Sequence, residues 1–264
     1  MRIAVFTSNH PRHLSLIECL AGIADEVFAV QETKTLFPGK NKGMFRQSEI
    51  IGNYFTRVTG AEKELFGAPH FLPGNVRQLA FTRDDLSSLD GSVLGSALDA
   101  DFIVVFGASY IKGELCAKLV QRGALNIHMG VSPYYRGNSC NFWPLYDGRP
   151  DMVGATIHLL SAGLDSGAIL YHALPKAQSI DPFILGMTAV RVAHQSLAEK
   201  IASGELADPE PIPQDKSKEV RYTRAADFND EVATEYLNRM AGGGEIRRAI
   251  ENRDLDQFVK PYVG

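Results

Sequence analysis

Asn126 and His128 stand two residues apart in the stretch ALNIHMGVSPYYRG, residues 124–137. The apolar lead-in reads as a short strand, and Gly130, Pro133 and Gly137 break the chain just beyond it. Residues i and i+2 of a strand lie on one face, so the amide and the imidazole share a side. An Asn amide can donate to an oxygen that gains negative charge, and a His beside it can move a proton or stabilise the same oxygen. Asp165 is the third candidate. It lies in GATIHLLSAGLDSGAIL, residues 154–170, flanked by Gly163 and Gly167 between two β-rich runs. A carboxylate there could reach back to His128, orient it and take part in proton transfer. Each piece taken alone also has a plain structural reading, because Asn and Asp cap turns and a strand-end His often satisfies a backbone group. His158, inside an apolar run, reads as a packed and hydrogen-bonded histidine rather than a second catalyst.

The elements around these residues follow a strand–helix alternation. Residues 2–7 read as a buried strand, and Leu14, Ile17 and Leu20 then recur at helical spacing. Residues 25–31 form a second strand, followed by a Gly/Pro loop carrying Lys34, Lys40, Lys42 and Arg46. A helix over SEIIGNYFTRVTGAEKELFG and helical pieces before residue 100 come next. The near-continuous apolar run 101–107 suits a central parallel strand, KGELCAKLV a short helix, and 124–128 another strand. This is the pattern of an α/β protein with a doubly wound parallel sheet. Two β-rich runs, 152–160 and 168–174, and an amphipathic helix beginning at PFILGM complete residues 1–207. Residues 208–264 read as a polar, Pro-containing connector and a small helical C-terminal appendage.

Composition narrows the function. A formal net charge of −4 gives no global basic field for nucleic acid. Cys19, Cys116 and Cys140 are scattered, with no CxxC pair, so neither a disulfide framework nor a zinc site is expected. The apolar run at the N-terminus is too short for a signal peptide, and no stretch nears the roughly 20 apolar residues of a membrane helix. A cytoplasmic location with no membrane partner is the expectation. The loop TSNHPRH, residues 7–13, precedes a helix N-terminus, which attracts anions, so Ser8, Asn9 and Arg12 are candidates for a substrate phosphate. It lacks a GxGxxG fingerprint and is not read as a dinucleotide site. A simple capping loop is the equal alternative.

Together the pieces are more specific. N-x-H followed by Pro-x-Tyr-Arg-Gly, then G-x-T-I-H, then G-L-D-S-G-x-I-L, resembles the 10-formyltetrahydrofolate-dependent formyltransferases. These include the glycinamide ribonucleotide, methionyl-tRNA and amino-sugar enzymes. The resemblance covers roughly residues 1–205, with its motif core between 101 and 170. It implies a Rossmann-like, doubly wound and mostly parallel sheet. It implies that Asn126, His128 and Asp165 form the catalytic set, with 10-formyltetrahydrofolate as formyl donor and no metal. It places the folate against backbone near two loops. One contains Gly107, Ala108, Ser109, Tyr110 and Ile111; the other contains Leu160, Gly163, Leu164 and Gly167. The chain departs from the family after the His: the commoner run is Pro-Ser or Gly-Ser with Leu-Leu-Pro, and here Met129-Gly130-Val131-Ser132-Pro133 stands instead. That departure puts the substrate-facing surface, with Tyr135 and Arg136, in question.

For the acceptor, Asn141-Phe142-Trp143 is similar to an element of amino-sugar N-formyltransferases, which makes Trp143 a substrate-binding candidate. A small amine, foremost on a nucleotide-linked amino sugar, is the expected partner. The methionyl-tRNA enzymes are the rival, since FPGKNKGMF sits where they carry a basic insertion. Their C-terminal barrel has no counterpart in the residues after 207, and the net acidity also disfavours tRNA. A formyltetrahydrofolate hydrolase is the further alternative. A homodimer stays open.

Overall fold

A computed structural model describes residues 1–36 and 48–264. In chain order the strands are β1 (Arg2–Ser8), β2 (Glu26–Thr33), β3 (Val76–Thr82), β4 (Phe102–Val105), β5 (Leu125–His128), β6 (Tyr135–Gly137), β7 (Ala155–Leu159), β8 (Ile169–Leu174), β9 (Arg221–Thr223) and β10 (Tyr262–Val263). The helices are α1 (Pro11–Ala21), α2 (Glu49–Phe66), α3 (Gly91–Leu94), α4 (Gly113–Gln121), α5 (Phe142–Tyr146), α6 (Pro182–Ala202), α7 (Asp230–Arg239) and α8 (Gly243–Glu251). Eight strands form one sheet in the order β10-β8-β7-β5-β4-β1-β2-β3, and β6 pairs with β9 separately. β7 is antiparallel to both neighbours; every other adjacent pair in the large sheet is parallel.

Strand alternation explains why both faces carry helices. Ile3 and Val5 join one apolar cluster with Leu14 and Ile17 of α1 and Val190 and Leu197 of α6. Ala4 and Phe6, one residue out of step, join a second cluster with Leu115 and Leu119 of α4. Burying each such large side chain contributes roughly 1.5–3 kcal/mol, so the two layers hold the sheet from both sides. The strand order reverses direction at β1: β2 and β3 extend one way, β4 and β5 the other. Open parallel sheets bind ligands at such a switch point, beyond the carboxyl ends of the strands. The loops after β1, β4 and β5 meet there.

Three elements differ from the sequence expectation. β3 has no apolar alternation, because most of its residues are exposed; its place comes from backbone pairing with β2, from Val27↔Val76 to Thr33↔Thr82. α6 is not a surface helix with one apolar face: 13 of its 21 residues are buried, since the sheet, α1 and α2 all pack against it. Asp181 caps its first turn by accepting from the Phe183 amide, and Pro182 opens it. Residues 208–264, expected as a connector and an appendage, are woven into the same body. β9 pairs with β6, β10 extends the sheet beside β8, and Tyr236, Ile246, Ile250 and Phe258 are buried in core clusters.

Candidate active site

β5 and β7 set the first half of the site. Their antiparallel register pairs Asn126 with His158 and His128 with Thr156. Directly opposed residues on adjacent strands have neighbouring side chains. His158 Nδ1 lies 2.8 Å from the Leu159 carbonyl, so it must donate there. Its Nε2 is then an acceptor, 2.9 Å from Asn126 Nδ2. This fixes which way the Asn126 amide points. Burial drives His158 down to about 4, which keeps it neutral and able to accept. The expectation of a packed, hydrogen-bonded histidine thus describes its bonds, but its partner is the candidate catalytic amide.

The loop after β7 brings the third residue. Asp165 adopts a left-handed conformation at φ 45°. Its Oδ2 lies 3.3 Å from His128 Nδ1, and its Oδ1 lies 3.4 Å from Asn126 Nδ2. Burial opposes charge on His128, but the Asp165 carboxylate and the Cys140 side chain outweigh it and raise the imidazole well above its ordinary value. Burial likewise pushes Asp165 up, and the His128 imidazole outweighs that and holds it below its usual range. The pair is therefore read as an imidazolium beside a carboxylate. His128 Nε2 is buried and has no hydrogen-bond partner among the described residues. Gly130 allows that crowding: a Cβ there would lie 3.0 Å from Nε2 and 2.3 Å from Cys140 Cβ.

A cavity of about 740 Å³ opens over these groups. Gly107, Ala108, Ser109, Tyr110 and Ile111 line it on one side, and Leu160, Gly163, Leu164 and Asp165 on another. The two loops expected to receive the folate thus face one space, and the Tyr110 hydroxyl donates to the Ala162 carbonyl across it at 2.7 Å. Gly167 is not a wall of the cavity. It packs against the end of β7, where an added Cβ would fall 1.7 Å from the Leu159 carbonyl oxygen.

The expected substrate residues divide. Arg12 lines the cavity, but its guanidinium is 2.9 Å from the buried Glu62, which offsets its charge. Ser8 is fully buried and donates to the Glu32 carbonyl, while the Asn9 side chain is engaged with the Lys34 backbone in both directions. Those bonds hold the loop instead of leaving two side chains for a phosphate. Tyr135 and Trp143 are buried, bonded to Asp147 and to the Asn138 carbonyl. Arg136 pairs with Glu219 at 2.8 Å. None of these three lines the cavity; they fasten the turn after β5 to the C-terminal segment, with Arg221 bridging Trp143 and Asp147. Lys34 donates to the Gly107 carbonyl at 3.3 Å. Lys40, Lys42 and Arg46 of the basic loop lie outside the described residues.

Sequence reasoning missed most of the aromatic lining of the cavity. Tyr54 and Phe55 of α2, Phe142 of α5, Phe183 of α6, Phe228 and Tyr236 form an aromatic arm there. Edge-to-face contacts knit it, with Phe142 to Tyr236 at 4.8 Å and Phe142 to Phe228 at 4.9 Å between ring centres. Only Phe142, of the Asn141-Phe142-Trp143 element, lies in a stretch the sequence singles out; the other rings come from three further parts of the chain and share no local motif. Among the described residues, no group of three or more His, Cys, Asp or Glu is placed to hold a metal ion.

The formyl transferase family profile matches residues 1–182. The chain belongs to that family. A methionyl-tRNA formyltransferase of Synechococcus sp. (strain JA-3-3Ab) is 32% identical over 162 residues, covering 58% of this chain and 44% of that protein. The GDP-perosamine N-formyltransferase of Brucella melitensis biotype 1 is 28% identical over 136 residues, covering 51% of this chain and 52% of that protein. The chain thus matches about half the length of these curated relatives. A 4-N formyltransferase from Francisella tularensis shares the fold, with a TM-score of 0.53 at 17% identity over 96% of this chain and 86% of that one. So does the formyltransferase PseJ from Anoxybacillus kamchatkensis, solved with UDP-4,6-dideoxy-4-formamido-L-AltNAc and tetrahydrofolate, with a TM-score of 0.50 at 17% identity over 94% of this chain and all of that one.

Proposed function

We propose that this protein transfers a formyl group from 10-formyltetrahydrofolate to a primary amine. The observation that carries the reading is the meeting of Asn126, His128 and Asp165 where the two loops face one cavity. Bound 10-formyltetrahydrofolate would supply an activated formyl carbon for the amine to attack. The chain's own groups would do the rest. His128, kept protonated by Asp165, places positive charge where an oxygen gains negative charge. Asn126 adds a donor. One of its N–H groups is committed to His158 at 2.9 Å; the other makes a long 3.4 Å bond to Asp165 and is the one free to turn to a reacting oxygen. Asp165 keeps the imidazole charged and would relay the proton that the amine gives up to N10 of the folate, which leaves as its bond to the formyl carbon breaks. No residue need become covalently attached, because an amine is itself a nucleophile.

The acceptor favoured here is a nucleotide-linked amino sugar. Supporting it are the GDP-perosamine activity of the Brucella relative, the UDP-linked sugar bound to PseJ, and an aromatic arm suited to a flat ring. Phe228 and Tyr236 wall that arm, which gives residues after 207 a part in a small-molecule site. The Synechococcus relative favours a second reading, formylation of methionyl-tRNA. The test is formyl loss from 10-formyltetrahydrofolate in the presence of UDP-, GDP- and dTDP-linked amino sugars, glycinamide ribonucleotide or methionyl-tRNA, at two ionic strengths. Turnover with an amino sugar and a shallow salt dependence is expected. Turnover with methionyl-tRNA that falls steeply with salt, as counterion release dictates, would replace the acceptor. Formyl loss with no amine present would make the protein a hydrolase.

A further inference from the structure

Glu32, near the end of β2, is fully buried, and its carboxylate is taken up by hydrogen bonds from neighbouring loops. Its Oε2 accepts from the Ser109 backbone N–H at 2.6 Å, and its Oε1 accepts from the Ser109 hydroxyl at 2.6 Å and from the Asp84 backbone N–H at 3.0 Å. A buried carboxylate is costly unless such donors satisfy it, and bonds to an ionised acceptor are about twice as strong as neutral ones. Ser109 is the midpoint of Gly107–Ile111, the loop after β4 that lines the cavity. The same loop is held at its start, where Lys34 donates to the Gly107 carbonyl. Gly107 itself has a φ of +67°, and a Cβ on it would lie 2.5 Å from His13 Nε2. Its far side is held by the Tyr110 hydroxyl on Ala162.

We infer that Glu32 is a positioning residue that holds the Gly107–Ile111 loop in the shape that receives the folate. The inference rests on the formyltransferase reading for the identity of the ligand. A loop that binds through its backbone gains affinity by being ordered in advance, because ordering it on binding would consume interaction energy. Glu32 supplies that order from behind the wall without lining the cavity itself.

The experiment compares wild type, Glu32→Gln and Ser109→Ala by calorimetry with 5-formyltetrahydrofolate and by hydrogen exchange. In Glu32→Gln a neutral amide, with donors of its own, faces the Ser109 donors. Its folate Kd should rise at least about tenfold, the loss expected of a charged hydrogen bond. Ser109→Ala removes one bond at a partly exposed site and should raise Kd about threefold, which keeps the test open if Glu32→Gln folds poorly. Exchange should quicken at residues 107–111 and stay unchanged at 160–167. Unaltered folate affinity in both variants overturns the proposal, and so does loosening spread evenly over both loops. A wild type that gives no folate heat would instead sink the folate reading, and the exchange comparison then decides the loop role alone.

Discussion

The two ends of the cavity are built in opposite ways. The proposed catalytic corner comes from 126–128 and 158–165, and polar atoms fix one another there: Leu159 fixes His158, His158 fixes Asn126, and Asp165 sits between Asn126 and His128. The aromatic arm is gathered from α2, α5, α6 and the segment after 207, and ring packing holds it. Hydrogen bonds are directional and fail abruptly when one partner goes; apolar contacts degrade by degrees. Changes in the corner should therefore strike turnover, and changes in the arm should strike acceptor binding.

The sharpest break of that contrast is at the ion pair. His128→Ala and Asp165→Asn should each lower turnover by at least about 100-fold, the size of losing a proton-transfer or oxyanion group. Folate Kd should move less than about threefold, because the loops proposed to receive the folate keep their own backbone bonds. Steady-state kinetics beside calorimetry checks this; wild-type turnover in either variant removes the catalytic set. A smaller effect is expected one shell back. His158→Phe deletes the acceptor that turns the Asn126 amide and should cost about tenfold in turnover, the worth of roughly one hydrogen bond to a misdirected donor. Circular dichroism at the assay temperature separates this from unfolding. If turnover is unchanged in a folded His158→Phe protein, Asn126 needs no such guide.

Legibility in the sequence follows the same divide. Strand alternation places Asn126 and His128 on one face and glycines mark the Asp165 turn, but each piece alone also reads as plain structure, and it is the resemblance to the formyltransferases that joins the three into one proposed set. His158 could have been recognised as its partner only from the register of β5 and β7, which depends on non-local pairing. The central strands announced themselves as apolar runs, whereas β3 and β10 are ordered by neighbours and carry no pattern of their own. Tyr135 and Trp143 illustrate a further limit: an aromatic beside a catalytic strand can equally brace the wall from behind, and only burial against Asp147 and Asn138 distinguishes the two.

Acid tests the corner against the rest of the core. Burial drives His158 and His172 down to about 4 and His194 to about 3. Each stays neutral when folded and takes a proton when unfolded, so each favours unfolding as pH falls below about 6.5, by up to about 1.4 kcal/mol per pH unit. His128 works the other way. Its folded value is raised, so its contribution is fully present below about 6.5 and is lost as pH rises through the folded value. His172 adds a structural consequence: its Nδ1 accepts from the Val259 N–H at 2.9 Å, so protonation removes a tie to the C-terminal segment. His194 is fully buried against Phe106, and among the described residues neither ring nitrogen has a hydrogen-bond partner. His194→Leu should stabilise the protein more at pH 5 than at pH 8, by about 1–2 kcal/mol. Urea midpoints at the two pH values measure the difference; an equal shift at both would mean that His194 does not resist protonation.

The smallest expected effects lie in the arm, and they distinguish binding from chemistry most cleanly. Phe228 lines the cavity and touches Tyr54 and Phe142 with ring centres 4.8 and 4.9 Å apart, so it can lose part of its ring while its neighbours still pack. Phe228→Leu should raise the KM of whichever amine the acceptor screen selects by about three- to fivefold, the scale of one aromatic contact. Tyr236 is almost fully buried, and burial holds its phenol strongly protonated, so it can act there only as a neutral hydroxyl. Tyr236→Phe keeps the ring and removes that hydroxyl; its effect on KM should be no more than about threefold unless the acceptor bonds to it. In both variants turnover at saturating acceptor and the folate Kd should match wild type, since neither ring belongs to the His128–Asp165 pair or to the loops at 107–111 and 160–165. A loss of turnover with KM unchanged would place the arm in the chemistry. A rise in folate Kd instead of acceptor KM would mean that the donor, rather than the amine, occupies the aromatic end.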